Sequence, residues 1–479
     1  MERFHGFSLS ERFVRDIAKT SNRSIAAASV SEDFGLNERL LADWGMRQVK
    51  GGADFDKESV SKLIDDPPAK RSAKARIDYA RLHMPCLAAL TEHYMKTPNN
   101  VFAGVKIAAN LILEPKTAVL LLDLHDLGAV IQVYCGSTSV DQDVADALAA
   151  AGMKVNAHSS NTPEEDRAEA LKTLDSLKPE LLLDDGAGIS RLLHMECKNL
   201  IEGLVGISEE TTCGVAALRE MESEGALLVP AVAVNDMKIK TLFDNAHGTG
   251  ETVVAALIEL TGESACGKNA AVAGYGPVGF GIAKRLRALG SSVVISEVNP
   301  IAALQALHDG FSVAPLLEAC HDADWIISAS GVSRTITAQA LACAKDGAVI
   351  ASAGGALNEI AHEQAVAESS AEFDESDRDR CRLKIAGKTL TVLSRGHGIN
   401  YTSGGGNPIE IMDLSFAGQM ESLAYIIKNR GALPKKVMRL PDEISEGIAR
   451  IKLESMSVQI DGKPRGASWR ETRFHTLGG

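Results

Sequence analysis

Aromatic residues make up only 4% of this 479-residue chain, against 42 glycines, a balance that fits Ala/Gly-rich α/β enzymes better than all-β sandwiches. Long apolar runs are missing too. The longest candidate, residues 117–122, stops at Asp123, far short of the roughly 18 uninterrupted apolar residues a membrane span needs. The first residues, Met1-Glu2-Arg3-Phe4-His5-Gly6, lead into polar sequence rather than the apolar core of a secretory signal. No two of the eight cysteines form a C-x-x-C pair, so neither a disulfide ladder nor a zinc knuckle is implied, and no metal site is expected. Basic charge is in deficit: 50 Lys plus Arg against 63 Asp plus Glu leave a formal charge of -13. That field repels a phosphate backbone, and no local basic patch offsets it, which argues against nucleic-acid and membrane partners. The expectation is a cytoplasmic enzyme with a small-molecule substrate.

What is present is ordinary globular material, 45% apolar and 24% charged, in a length suited to two or three domains. Residues 1–70 are poorly periodic and end in Asp65-Asp66-Pro67-Pro68, which reads as an extension with a linker. From Ser72 strands and helices alternate. Strands are expected at 105–113, 129–135 and 181–183, with helices at 117–127 and 140–151. A second α/β unit begins near Gly250, with strands at 270–273, 292–296, 325–328 and 348–350 and a helix at 279–289. The charged run 372–382 reads as a solvated surface segment, 410–428 as a helix packing back on the first domain, and the last fifty residues as a polar tail with a helical start. The expected architecture is therefore α/β, two Rossmann-like doubly wound domains plus a divergent C-terminal tail. Residues 71–245, completed by 407–456, would bind substrate, 246–406 would bind a dinucleotide, and 457–479 would form the tail.

Gly274-Tyr275-Gly276-Pro277-Val278-Gly279 is a G-x-G-x-x-G that follows an apolar strand and opens a helix. Gly274 permits the tight turn, Gly276 lets the backbone approach a pyrophosphate, and Gly279 lets helix and strand pack closely. The helix that opens at Pro277, which has no N–H of its own, offers the free N–H groups of Val278 and the residue after it to the phosphates. The motif alone is weak, but about 20 residues on the next strand ends in Ser296-Glu297, where an acid accepts the ribose hydroxyls of NAD and repels the extra phosphate of NADP. Upstream, Ser208-Glu209-Glu210-Thr211-Thr212 reads blandly as a helix cap in which Ser208, Thr211 and Thr212 satisfy free N–H groups. Lys240 and Asp244 stand at i, i+4, which places them on one helical face, as a surface ion pair or as part of a site.

These residues resemble a family. Asp184-Asp185-Gly186, Gly206-Ile207-Ser208-Glu209-Glu210-Thr211-Thr212, the stretch from Asn235 to Asn245, Ala273-Gly274-Tyr275-Gly276 and Ile295-Ser296-Glu297-Val298-Asn299-Pro300 are similar, in order and spacing, to S-adenosylhomocysteine hydrolase. The resemblance implies a tightly held NAD that oxidises a ribose 3'-hydroxyl, so that the C4' proton becomes acidic and a 5'-group can be eliminated. It implies that Glu210 holds a ribose hydroxyl, that Lys240, Asp244 and Asn245 serve the 3'-oxygen, and that Asp185 acts at C4'. Thr211 and Thr212 would meet the nicotinamide amide, and Asn400 matches a further cofactor-side Asn. A homo-oligomer, dimer or tetramer, is implied as well.

The departures are selective. The family's His-Met-Thr-Val-Glu-Thr-Ala stands here as Ile112-Leu113-Glu114-Pro115-Lys116-Thr117-Ala118, which removes a His serving the 5'-leaving group and changes the Thr and Glu that help read adenine. Asn-Ile-Gly-His becomes Ser352-Ala353-Gly354-Gly355, and Gly-His-Pro becomes Gly406-Asn407-Pro408. The family's C-terminal Lys-Pro-x-x-Tyr-Arg-Tyr has no counterpart. The redox half of the site is kept while the groups for the base and for homocysteine are replaced, so a divergent nucleoside hydrolase or lyase, redox-neutral overall, is the simplest account. Ordinary adenosylhomocysteine hydrolysis, an NAD-dependent nucleoside dehydrogenase or epimerase, and a non-catalytic nucleotide-binding protein stay open as alternatives.

Overall fold

The computed structural model describes residues 72–462. The extension expected over 1–70 and the tail from 463 onward lie outside the described residues.

Short runs of Ala, Val, Ile and Leu, buried on both faces, make the strands, as parallel sheets covered by helices require. The first sheet is built from β1 (Lys106–Asn110), β2 (Val130–Tyr134), β3 (Lys154–Asn156), β4 (Leu181–Asp184), β5 (Gly206–Glu209) and β6 (Ala231–Ala233). The second holds β7 (Asn269–Ala273), β8 (Ser292–Ser296), β9 (Ser312–Val313), β10 (Trp325–Ser328), β11 (Val349–Ser352), β12 (Glu372–Asp374), β13 (Arg380–Ile385) and β14 (Lys388–Leu393). A last strand, β15 (Val437–Met438), returns to the first sheet beside β6. The strand orders are β15-β6-β5-β4-β1-β2-β3 and β12-β13-β14-β11-β10-β7-β8-β9. Both are doubly wound, with the winding reversing between β1 and β4 in one sheet and between β7 and β10 in the other. Ligands in such folds bind in the crevice at the carboxyl ends of the strands where the order reverses. Asn110, Asp184 and Gly274 sit at those two points.

The helix Ile409–Lys428 folds back on the first sheet. Most of it is buried, and Gly206 on β5 makes room for it, since a Cβ there would stand 2.8 Å from the Ile426 side chain. Between the sheets the chain runs through Thr241–Thr249, wound as a π-helix, into the α-helix Gly250–Thr261. That segment crosses the helix Pro277–Ala288 at backbone distance: a Cβ on Gly281 would lie 1.9 Å from the Ala246 carbonyl oxygen. The two glycines at this crossing, Gly250 and Gly281, thereby fix the site-bearing π-helix against the dinucleotide domain.

Two expectations are corrected. The charged run 372–382 is not merely a solvated segment: it supplies β12 and the start of β13, which pair antiparallel and carry the edge of the second sheet. Along β13 the side chains alternate exposed and buried, with Cys381, Leu383 and Ile385 facing the core. The last fifty residues likewise do more than trail, since Val437–Met438 joins the first sheet ahead of the helix Asp442–Ser455. Among the described residues no helix is long and apolar enough to cross a membrane, and all eight cysteines are free.

Candidate active site

The carboxyl ends of β1, β4, β5 and β6 deliver polar groups to one crevice. At the end of β4, Asp184 is fully buried and accepts from Asn110 Nδ2 at 2.7 Å, the Asp185 N–H at 3.0 Å and the Ser190 N–H at 2.8 Å. It is an anchor for the turn that follows. That turn takes Gly186 and Ala187 through left-handed backbone, φ 71° and 52°, a conformation that costs a non-glycine residue energy unless the surroundings enforce it. The enforcing group is Glu209 at the end of β5. Its carboxylate accepts from the N–H groups of Gly186, Ala187 and Thr211 at 2.9 Å each and from Thr211 Oγ1 at 2.8 Å. Burial, with Asp184 and Asp185 nearby, pushes the Glu209 carboxyl well above the usual range, against four donors that favour the anion. Asp185 emerges from this braced turn. Burial is the main cause that raises its carboxyl to about 6; the Lys240 ammonium opposes it, and Asp184 and Asp244 add to it.

The adjacent cluster centres on Lys240. Its Nζ donates to Asp244 Oδ1 at 3.0 Å and Asn245 Oδ1 at 2.8 Å, and lies 3.6 Å from Glu210 Oε1. Reaching both i+4 and i+5 suits the π-winding of the segment, which widens each turn beyond the α-helical spacing. Lys240, Asp244 and Glu210 are all about 5% exposed, so the surface-ion-pair reading is set aside. Burial works against the Lys240 charge, but Asp244 and Glu210 overcome it and hold the amine above its ordinary value. Glu210, buried beside Asp244, is raised to about 7 even though Lys240 opposes the shift. Asp244 is steadied further by Asn407 Nδ2 at 3.0 Å and Ser415 Oγ at 2.7 Å, and Glu210 Oε2 accepts from Gln419 Nε2. Glu210 Oε1 has no hydrogen-bond partner. A buried carboxylate oxygen in that state is a place kept for a donor from a ligand.

The threonines are engaged differently from the bland capping picture. Thr211 alone caps the helix Thr212–Ser223, accepting from the Gly214 N–H at 3.2 Å, while Thr212 Oγ1 donates to Asn235 Oδ1 at 3.0 Å. Asn235 Oδ1 also accepts from Asn245 Nδ2 at 2.9 Å, which ties β6 to the Lys240 cluster. Ser208 does not cap; its hydroxyl meets Gln419 and Ser422 of the helix Ile409–Lys428.

Across the crevice, the glycine turn fits a dinucleotide. Gly274 has φ 102° and packs on the end of β10, where a Cβ would stand 2.9 Å from the Ala329 carbonyl oxygen. A Cβ on Gly279 would lie 2.0 Å from the Gly274 carbonyl oxygen, and Gly276 faces open space. Pro277 and Val278 begin the helix. Glu297 accepts from the N–H groups of Tyr275, Val298 and Asn299 at 2.6 to 2.8 Å, which presents its carboxylate beside the turn where a ribose diol would sit. Asn400 Oδ1 is buried and unpartnered, an acceptor suited to a carboxamide N–H. A third region, a cleft of about 780 Å³, is bordered by Ile112, Glu114, Lys116, Tyr401 and Asn407. There Lys116 Nζ pairs with Glu114 Oε2 at 2.5 Å and donates to the Gly405 carbonyl at 2.9 Å.

The fold and site define an NAD-dependent enzyme of two doubly wound domains. The S-adenosyl-L-homocysteine hydrolase model matches residues 63–202, and the model of that enzyme's NAD-binding domain matches 245–406. Over 400 residues the chain is 38% identical to the adenosylhomocysteinase of Thermotoga maritima, covering 81% of this chain and 96% of that one. It is 41% identical over 410 residues to the adenosylhomocysteinase of Thermococcus kodakarensis, covering 85% and 96%. It is also 37% identical over 392 residues to the S-inosyl-L-homocysteine hydrolase of Methanocaldococcus jannaschii, covering 82% and 94%. The chain belongs to the S-adenosyl-L-homocysteine hydrolase family, and its cofactor is NAD.

Proposed function

We propose that this enzyme oxidises a purine ribonucleoside at C3', removes the C4' proton and expels a 5'-substituent, with no net redox change. The observation that carries the reading is the orphaned, buried Glu210 Oε1 beside the Lys240 ammonium, an acceptor left for a ribose hydroxyl. Glu210 accepts that hydroxyl, and Lys240, held by Asp244 and Asn245, steadies the 3'-oxygen as negative charge builds on it. Bound NAD supplies the reversible two-electron oxidation at the ribose. Gly274, Gly276, Pro277, Val278, Gly279 and Glu297 would hold its adenosine and pyrophosphate. Asn400, Thr211 and Thr212 would serve the nicotinamide. Once C3' is a carbonyl, the neighbouring C4' proton is acidic and Asp185, its carboxyl raised to about 6 by burial, takes it.

We infer that Glu114 and Lys116, which border the cleft, read the base of the nucleoside. Adenine offers donors at its 6-amino group and an acceptor at N1, whereas a 6-oxopurine reverses both. A carboxylate at 114 can accept from the N1–H of a 6-oxopurine while an ammonium at 116 donates to its 6-carbonyl; the same pair meets adenine by accepting from the 6-amino group and donating to N1, so it fits either purine and affinity separates them. Two relatives are named for an inosyl substrate, which favours the 6-oxopurine, beside adenosylhomocysteinases of similar identity. Calorimetry with the holoenzyme is expected to show inosine binding at least tenfold tighter than adenosine, a difference of about 1.4 kcal/mol. Equal affinities, or a preference for adenosine, would return the enzyme to the ordinary adenosylhomocysteine reading. Whether water is added back after elimination is read with S-inosyl-L-homocysteine as substrate: an alkene signal in the product means a lyase, and its absence beside free homocysteine means the full hydrolase. Coverage of more than nine-tenths of the hydrolase relatives favours the latter.

We also infer a homo-oligomer. The helix Ile409–Lys428 is largely buried inside the subunit and leaves little apolar face for a partner. Support comes instead from Val298, just before the helix Pro300–His308, and Ile301, Leu304 and Leu307 along it, an exposed apolar row that a second copy would cover. A monomer by light scattering at micromolar concentration would end this inference.

A further inference from the structure

Elimination needs a proton for the departing 5'-group, and the positions where the family carries histidine hold Ile112, Gly355 and Asn407 here. None of these is an acid of useful strength. One phenol occupies the corner they leave. Tyr401, in the short helix Ile399–Thr402, lies over Gly398, where a Cβ would stand 2.4 Å from its Cε1 and 3.0 Å from its Cζ. The same Cβ would be 2.8 Å from the Gly354 carbonyl oxygen, so the ring packs at the strand end that carries Gly354 and Gly355. Cys213 also borders the corner: a Cβ on Gly355 would lie 3.4 Å from its Sγ and one on Gly186 4.0 Å. Tyr401 also borders the cleft with Ile112, Lys116 and Asn407, and is only partly exposed. Burial first, and then Asp185, hold the phenol above its ordinary range, so it carries its proton throughout the physiological pH range.

Resting on the 3'-oxidising, 5'-eliminating reading, we propose that Tyr401 is the catalytic acid that protonates the 5'-leaving group. The balance closes within the site. Asp185 takes the C4' proton, and the electron pair left on C4' forms the C4'–C5' double bond. The C5'–X bond breaks with its pair going to X, and the Tyr401 hydroxyl gives X its proton. Asp185, now protonated and close by, returns a proton to the phenolate, so the site is restored and HX leaves.

The test is Tyr401→Phe, measured with S-inosyl-L-homocysteine and S-adenosyl-L-homocysteine on the holoenzyme. C4' exchange with deuterated solvent should persist within about threefold of wild type, while thiol release falls by about 10²–10⁴-fold, the usual worth of a general acid. A 5'-(4-nitrophenylthio) nucleoside, whose leaving group departs without a proton, should be cleaved by Tyr401→Phe at close to the wild-type rate. A merely structural tyrosine would slow both substrates alike. Inosine affinity by calorimetry, unchanged in the variant, checks that the site is intact. Thiol release at the wild-type rate in Tyr401→Phe, equal losses with both leaving groups, or a loss that appears instead in Cys213→Ala would overturn the assignment. Absence of C4' exchange in the wild type would overturn the underlying reading instead, so the two failures are separable.

Discussion

Lys240→Ala is expected to abolish reduction of the bound NAD on mixing with inosine, by at least about 10²-fold in rate. The reason is electrostatic and local. The 3'-oxygen must gain negative charge as its carbon is oxidised, and the one buried cation bonded into this cluster is the Lys240 ammonium, 3.0 Å from Asp244 and 3.6 Å from Glu210. Without it, Glu210, Asp244 and Asp185 face one another in a dry crevice, and their carboxyls will take up protons rather than stay ionised. Glu210, already raised to about 7 with Lys240 in place, will then be neutral at physiological pH and lose its pull on the ribose hydroxyl. Retained NAD content and an unchanged far-ultraviolet spectrum separate this loss from unfolding. Lys240→Ala that reduced its NAD at the wild-type rate would show that the amine has another role.

Asp185→Asn should fail at a different step. Oxidation precedes deprotonation, because a C4' proton has no useful acidity until its neighbour is a ketone. The variant should therefore still reduce its NAD within a few-fold of wild type, while isotope exchange at C4' and loss of the 5'-group fall by about 10²–10⁴-fold. The amide keeps the size of the carboxylate and the braced turn beneath it, which rests on Asp184 and Glu209 rather than on Asp185. The wild-type exchange rate should also drop as pH falls through about 6, since the base must be ionised and burial has raised its carboxyl to that value. An exchange rate in Asp185→Asn equal to wild type, or one that ignores pH in that window, would move the base elsewhere.

Much of this site was legible because its residues are local in sequence. Gly274 to Gly279 and Glu297 lie one strand-helix-strand unit apart, and Lys240 with Asp244 and Asn245 share one turn. The spacing did not disclose the π-winding, because i, i+4 suits an α-helix equally well. Residues contributed from far along the chain carried no local signal. Ser415 and Gln419 reach Asp244 and Glu210 across 171 and 209 positions, and only the packing of the helix Ile409–Lys428 on β5 brings them there. Glu209 could be read as one more cap acid beside Glu210, yet alternation along β5 turns one carboxylate into the braced turn and the other toward Lys240. In 372–382 the charges masked a strand whose signal, Cys381, Leu383 and Ile385 at every second position, was present but short. Tyr401 belongs to no sequence motif; its meaning comes from the glycines around it.

The most direct test of the account is isotope exchange at the ribose. Wild-type holoenzyme incubated with inosine in deuterated water is predicted to place deuterium at C4' of recovered inosine, and at no other ribose carbon, with no net accumulation of reduced cofactor. Recovered inosine without deuterium at C4', in a sample whose NAD is nevertheless reduced and released, would contradict the account and make the enzyme a simple dehydrogenase.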